Sequence, residues 1–174
     1  MVRGLFLLLF AATLCPAADD AFKPVEFLIG DWIGEGSGSP GQGGGSFSLS
    51  YDLDRKILVR RNVSEYPAAN GRPAAHHEDL MIVYPESPLR AIYFDNEGHV
   101  IHYAVHAQAN GVQFISEPSK KEPRFRLTYT KQDEGAVLID FAIAPPGQPE
   151  GFKSYVAGTV HRKPDPQSMR QKAR

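Results

Sequence analysis

From Trp32 to Arg162 the chain is a succession of about ten short segments in which apolar and polar residues alternate with period two. Gly, Pro, Asn and Asp occupy the breaks, and no stretch in that span reads as a long helix. Strands this short and numerous must each bury one face, and a single antiparallel sheet closed on itself does so without leaving an edge. The expected fold is all-β: a single closed antiparallel β-barrel of about ten strands, wide enough to hold a ligand, with a short N-terminal helical turn at one mouth.

The alternation also assigns faces. Ala21 to Ile29 is the helical turn, Gly30 to Gly36 opens the sheet, and Ser37 to Gly45 is a glycine-rich polar loop. In Ser46 to Leu53, Phe47, Leu49, Tyr51 and Leu53 share the inner face. A tight turn at Asp54-Arg55 then pairs Tyr51 with Leu58 and Leu49 with Arg60, which places Leu58, Arg60, Asn62 and Ser64 inside. Further on, Phe125, Leu127 and Tyr129 point inward from one strand and Val137, Ile139, Phe141 and Ile143 from the next. For the last strand the inner set reads Phe152, Ser154, Val156, Gly158 and Val160.

The middle strands, within 77–84, 90–95 and 100–107, carry apolar residues on both faces. One face holds Glu78, Leu80, Ile82, Ile92, Phe94, Val100 and His102; the other holds Asp79, Met81, Val83, Tyr93, Ile101 and Tyr103. The first has more branched bulk and is turned inward here, taking Glu78 and His102 into the lumen.

The ends and the composition bound what the chain does. Arg3, the apolar run Leu5 to Leu14 and the small residues Ala17 and Ala18 read as a secretory signal over 1–17, too short for a permanent membrane span. The barrel domain then occupies 18–163, and the polar, proline-containing stretch 164–174 is expected to be disordered. The implied location is export, periplasmic or secreted. A lipid anchor on Cys15 is disfavoured because bulky Leu14 stands where that signal wants a small residue. Cys15 is the only cysteine, so the exported domain has no disulfide and no thiolate chemistry. With 19 Lys and Arg against 20 Asp and Glu and no basic cluster, nucleic acid is not an expected partner. No later stretch is long and apolar enough to cross a bilayer as a helix.

Catalytic patterns are missing. The glycine run lacks the Lys-Ser/Thr end of a phosphate loop, and no nucleophile elbow occurs. His76 and His77 face opposite ways in a strand, while His102 and His106 lie about 13 Å apart along one, too far to share a metal ion. The residues expected to line a ligand site are Trp32, Arg60, Asn62, Glu78, His102 and Tyr129. Trp32 either floors the cavity or closes the core. Arg60 inside a barrel needs a partner, either Glu78 or a ligand carboxylate, unless a shifted register or a mouth position lets it reach water.

The opening FLIGDWIGEGSG, with Gly30, Trp32, Gly34 and Gly36, resembles the start of the nitrobindin-like and fatty-acid-binding-protein-like barrels of the calycin type. HEDLMIVYP (His77 to Pro85) and RAIYFDNEGHVIHY (Arg90 to Tyr103) resemble an uncharacterised bacterial secreted branch of that group, and the likeness spans Phe27 to Lys163. It implies a ten-stranded barrel with a central cavity. Nitrobindins place a haem-ligating histidine early in the last strand, where this chain has Lys153-Ser154-Tyr155-Val156. Haem with its peroxynitrite chemistry is thus an alternative rather than the first expectation, and no cofactor is expected. The leading expectation is an exported, non-enzymatic barrel holding a small hydrophobic or amphipathic molecule, oriented by Arg60. A haem-dependent or isomerase-like enzyme and a filled, cavity-less envelope protein are the alternatives.

Overall fold

A computed structural model describes residues 21–34, 44–68, 71 and 73–164. The expected signal over 1–17, most of the glycine-rich loop and nearly all of the expected tail lie outside them. The described chain forms β1 (Gly30–Gly34), β2 (Gly44–Asp52), β3 (Ile57–Tyr66), β4 (Ala75–Tyr84), β5 (Arg90–Asp95), β6 (Val100–Gln108), β7 (Gly111–Ser116), β8 (Arg124–Lys131), β9 (Val137–Ala144) and β10 (Lys153–Arg162). Every strand pairs antiparallel with its sequence neighbours, and β1 pairs with β10, so the sheet is a closed ten-stranded barrel. No helix among the described residues is long and apolar enough to cross a membrane. Among the described residues, a 3₁₀ turn, Lys23–Leu28, with Pro24 in its first turn, precedes the barrel.

The closure seam is short and well tied. Trp32, Ile33 and Gly34 pair with Arg162, His161 and Val160. Arg162 donates to the Phe27 carbonyl at 2.9 Å and to the Ile29 carbonyl, and its guanidinium lies 4.3 Å over the Trp32 ring. The Trp32 indole N–H donates to the Leu28 carbonyl at 2.8 Å. The last strand therefore holds the 3₁₀ turn across the barrel end, where Phe22, Val25 and Leu28 are buried. Trp32, 2% exposed, is a core side chain at this closed end.

Above it the interior is filled by rings in edge and stacked contact. Trp32–Phe47, Phe47–Tyr129, Tyr129–Phe114, Phe114–Tyr103 and Tyr103–Tyr93 follow one another at centroid separations of 5.8, 6.0, 5.9, 6.3 and 6.5 Å. Such contacts contribute about 0.5–1.5 kcal/mol each beyond the area they bury. The half of the lumen next to the closed end is a packed core.

The β2–β3 hairpin has the expected register, with Tyr51 opposite Leu58 and Leu49 opposite Arg60. Its connection is longer than two residues: Leu53, Asp54 and Arg55 all take left-handed backbone angles (φ 48°, 52° and 63°). Leu53, expected inside, consequently leaves the sheet and is 66% exposed. Two further expectations are corrected. In β4–β6 the inner face is the other one: Met81, Val83, Tyr103 and Ile101 are buried, with Asp79, whereas Phe94 and Val100 are 38% and 56% exposed. In β10 the register shifts between Ser154 and Val156, a β-bulge at Tyr155. Val156, Gly158 and Val160 keep their inward parity, but Ser154 pairs with outward Ala142. Phe152 lies outside as well, with the Arg126 guanidinium 4.5 Å from its ring centroid.

At Gly111, which pairs with Thr130 at the start of β7, an added Cβ would overlap the Tyr129 carbonyl oxygen. Gly111→Ala is expected to lower the unfolding free energy by about 2 kcal/mol in urea titrations, whereas Gly158→Ala changes it by less than about 1 kcal/mol.

Candidate functional site

The barrel end opposite the 3₁₀ turn is framed by the strand ends at Gly34, Tyr66, Asp95, Ser116 and Ala144. Alternation points Arg60, Asn62 and Ser64 inward from β3, rising toward this mouth. Their partners in register are Met81, Asp79 and His77 of β4, and Met81 and Asp79 continue to Tyr93 and Asp95 of β5. One pairing row thus carries Asn62, Asp79 and Asp95 side by side, with Ser64 and His77 one step closer to solvent.

Arg60 does find a partner inside, and it is Asp79 rather than the expected Glu78. Arg60 Nη1 donates to Asp79 Oδ1 at 2.6 Å, with the two side chains 8% and 4% exposed. Asn62 Nδ2 donates to the other carboxylate oxygen at 2.8 Å. Burial is the largest single influence and pushes the Arg60 guanidinium down, but Asp79 together with Tyr129, Tyr93 and Tyr103 outweighs it, and the group is held above its ordinary value. Arg60 Nε and the Tyr129 hydroxyl have no hydrogen-bond partner among the described residues although both are buried. Burial raises Tyr129, against the opposing pull of the Arg60 guanidinium.

A second chain of polar contacts runs from the cluster to the rim. His77 Nδ1 lies 3.2 Å from Glu97 Oε1, and His77 Nε2 lies 3.1 Å from the Tyr93 hydroxyl and 3.5 Å from Asp79 Oδ2. Tyr93 Oη–H donates to Asp95 Oδ2 at 3.3 Å. The pattern is satisfied throughout when both His77 nitrogens carry protons. Consistently, contact with Asp79 first, and with Glu97, raises His77 above its ordinary value despite burial. Tyr93 is pushed far up by burial and by the Asp79 and Asp95 carboxylates, so it remains a hydrogen-bond donor at any physiological pH. Burial works against the charged form of Asp95, but the His99 backbone N–H and ring outweigh it and hold the carboxyl below its ordinary range.

Opposite this polar wall the mouth is apolar. Phe125, Ile139 and Phe141 point inward and are only half-buried; the Phe125 and Phe141 rings stack at 6.1 Å. Tyr155, expected outside, is turned by the bulge so that its ring edge meets Phe141 at 6.3 Å, yet it stays 70% exposed. Gly158 pairs with Ile139 and therefore faces the lumen, and a Cβ built on it meets no described atom within 4 Å.

Of the expected site residues, Arg60 and Asn62 belong to the cluster and Tyr129 packs under it. Trp32 lies at the far closed end. Glu78, its side chain 59% exposed and bound to His76, and His102, exposed on β6, are on the outer surface and line nothing. Sequence reasoning missed Asp79, His77, Tyr93 and Asp95. The signal available for them was that the aromatic residues of β5 and β6, Tyr93 and Tyr103, share the parity of Asp79 and Met81. No histidine of β10 faces the lumen, since His161 is exposed. No group of three His, Cys, Asp or Glu among the described residues is placed to hold a metal ion.

Removing one charge of the buried pair leaves the other uncompensated. Asp79→Asn is expected to cost about 3–5 kcal/mol of unfolding free energy, while the double change Arg60→Met/Asp79→Leu recovers most of it. His77 titrates higher in the folded protein than its ordinary 6.5, so its contribution is fully present below that pH and lost as pH rises through the elevated value. The melting-temperature gap between the natural protein and His77→Gln should accordingly shrink from about pH 5.5 to about pH 8.5.

No family model matches this sequence, and no curated protein matches it. Its fold is a closed ten-stranded antiparallel barrel consistent with the calycin type.

Proposed function

We propose that this is an exported, non-enzymatic binding protein that holds one small amphipathic molecule in the open half of its barrel. The observation that carries the reading is the arrangement of the upper barrel, where inward, half-buried Phe125, Ile139 and Phe141 and the small Gly158 stand across from the polar cluster. Inward apolar side chains left accessible at a barrel mouth favour an apolar ligand, because covering them recovers about 25 cal/mol for each Å² removed from water. Export is supported by the signal-like composition of 1–17.

The polar end of that molecule is uncharged. Arg60 is neutralised by Asp79, and His77, when protonated, is met by Glu97 at 3.2 Å and by Asp79 Oδ2 at 3.5 Å. A ligand carboxylate would therefore enter a site of net charge near zero or negative, whereas an alcohol, aldehyde or amide can exchange hydrogen bonds with Asn62, Ser64 and His77. This revises the expectation that Arg60 anchors an anion.

Organic extraction of the denatured protein followed by mass spectrometry is expected to return a neutral amphiphile. Long-chain alcohols or aldehydes should raise the melting temperature more than the matching fatty acids, and Gly158→Leu, which puts a bulky side chain on the inward face of β10, should abolish that rise while leaving the fold intact. An empty extract with no shift from either series overturns the reading. A Soret band on haem titration would replace it with a haem protein.

A further inference from the structure

Arg60 Nε and the Tyr129 hydroxyl, both buried, have no hydrogen-bond partner among the described residues. Their strands lie far apart, yet the two groups belong to one place. β3 and β8 are five strands apart in a ring of ten, on opposite walls of the barrel. Both side chains reach the same ring between those walls. The Arg60 guanidinium lies 5.4 Å from the Phe47 centroid, and the Tyr129 ring centroid lies 6.0 Å from it.

At this point hydrogens outnumber acceptors. A guanidinium only donates; its Nη1 is bonded to Asp79 Oδ1, while Asn62 occupies Oδ2. The Tyr129 hydroxyl keeps its proton, because burial raises it more than the nearby Arg60 charge lowers it. Even a bond from Arg60 Nε–H to the Tyr129 oxygen would leave the tyrosine hydrogen without an acceptor. Buried donors of this kind are costly unless an oxygen reaches them, and the oxygen that suits both brings no hydrogen of its own.

We infer that the polar end of the bound molecule is a carbonyl without an attached N–H or O–H (a ketone, aldehyde or ester), whose oxygen accepts from Arg60 Nε–H and Tyr129 Oη–H. The inference rests on the binding function proposed above and seats the oxygen one inward row deeper than Asn62. Each lone pair of the oxygen then receives one donor. An alcohol in the same place carries a further hydrogen with no acceptor, and so does an amide that retains N–H. A carboxylate adds a second negative charge beside Asp79. One row of the sheet leads to the pair: Tyr129 stands in register with Ile139, and Ile139 with Gly158. Along it the side chains pass from buried Tyr129 through half-buried Ile139 to Gly158, which faces inward and is nevertheless exposed. The accessible inner surface therefore ends one strand from Tyr129, and the carbonyl reaches the two donors by displacing the side chains that cover them.

Methyl nonyl ketone and the secondary alcohol obtained from it by reduction differ only at that oxygen, and their titration against the protein tests the inference. The ketone is expected to bind about 10-fold more tightly or better, because only the alcohol leaves a buried hydrogen unmatched. Tyr129→Phe deletes a donor that has no partner, so its circular dichroism spectrum should match that of the natural protein. It should cut the advantage of the ketone to about 3-fold or less. Ser64→Ala, nearer the rim, should leave that advantage unchanged. With an isotopically labelled carbonyl, the infrared stretch of the bound ketone should lie below its position in hydrocarbon solvent and rise toward it in Tyr129→Phe. A ketone that binds no better than the alcohol, or a carbonyl stretch indifferent to Tyr129→Phe, overturns the inference and leaves the binding function standing. Failure of both compounds to bind overturns the two together.

Discussion

Arg60 cannot be brought inside a barrel alone. Its place on the inner face follows from the β2–β3 hairpin, where it sits directly opposite Leu49, and a guanidinium there with no counter-charge would cost several kcal/mol. Asp79 supplies the charge, and Asn62 occupies the carboxylate oxygen that Arg60 leaves free. That requirement fixes more than one contact. For Asp79 to meet Arg60 and Asn62 together, β4 must pair with β3 in one register, and a slip of a single residue would send Asp79 to the outer wall. His77, Met81 and Val83 then follow inward by parity, and through β5 so do Tyr93 and Asp95. One buried ion pair thereby selects the face of three strands.

Closure does the rest. β1 and β10 share only a short ladder, and a barrel sealed by few backbone hydrogen bonds needs reinforcement at that seam. Arg162 supplies it from the end of the last strand, tying the Phe27 and Ile29 carbonyls and capping the Trp32 ring, while the Trp32 N–H holds Leu28. The same contacts fasten the 3₁₀ turn over the barrel end. Seam and plug are thus one structure, and the packed aromatic core of the lower lumen is built directly on it.

The sequence made some of this legible and hid the rest for identifiable reasons. β2 and β3 alternate cleanly and meet through a short connection, so their register and the inward place of Arg60 could be read directly. β8 and β9 were equally plain, with Phe125, Leu127, Tyr129, Val137, Ile139 and Phe141 on one side. In β4–β6 the usual rule inverted. The inner face contains His77, Asp79 and Asp95, which look like surface residues, and the outer face contains Ile82, Ile92 and Phe94, which look like core. A polar lumen wall and an apolar outer wall on the same strands defeat any choice based on bulk. In β10 the parity is regular in the sequence, but the bulge at Tyr155 adds a residue that period-two counting cannot see, so Ser154 and Tyr155 exchanged sides.

These two departures concern one region, the upper half of the barrel, and they have a common physical sense. The lower half needs only dense packing, which hydrophobic alternation encodes well. The upper half departs from it twice: the bulge turns Tyr155 onto Phe141 at the rim, and the polar row on β3–β5 meets the lumen instead of water. Each departure costs stability if the lumen does nothing, because an ordinary apolar filling would pack better than buried carboxylates, a histidine and two unpartnered donors. Polar groups this closely interlocked, facing half-buried Phe125 and Phe141, are what the proposed ligand would complete with its own hydrogen bonds. Under the proposed binding function, with Arg60 already neutralised by Asp79, selectivity would rest on hydrogen-bond geometry and apolar fit rather than on charge.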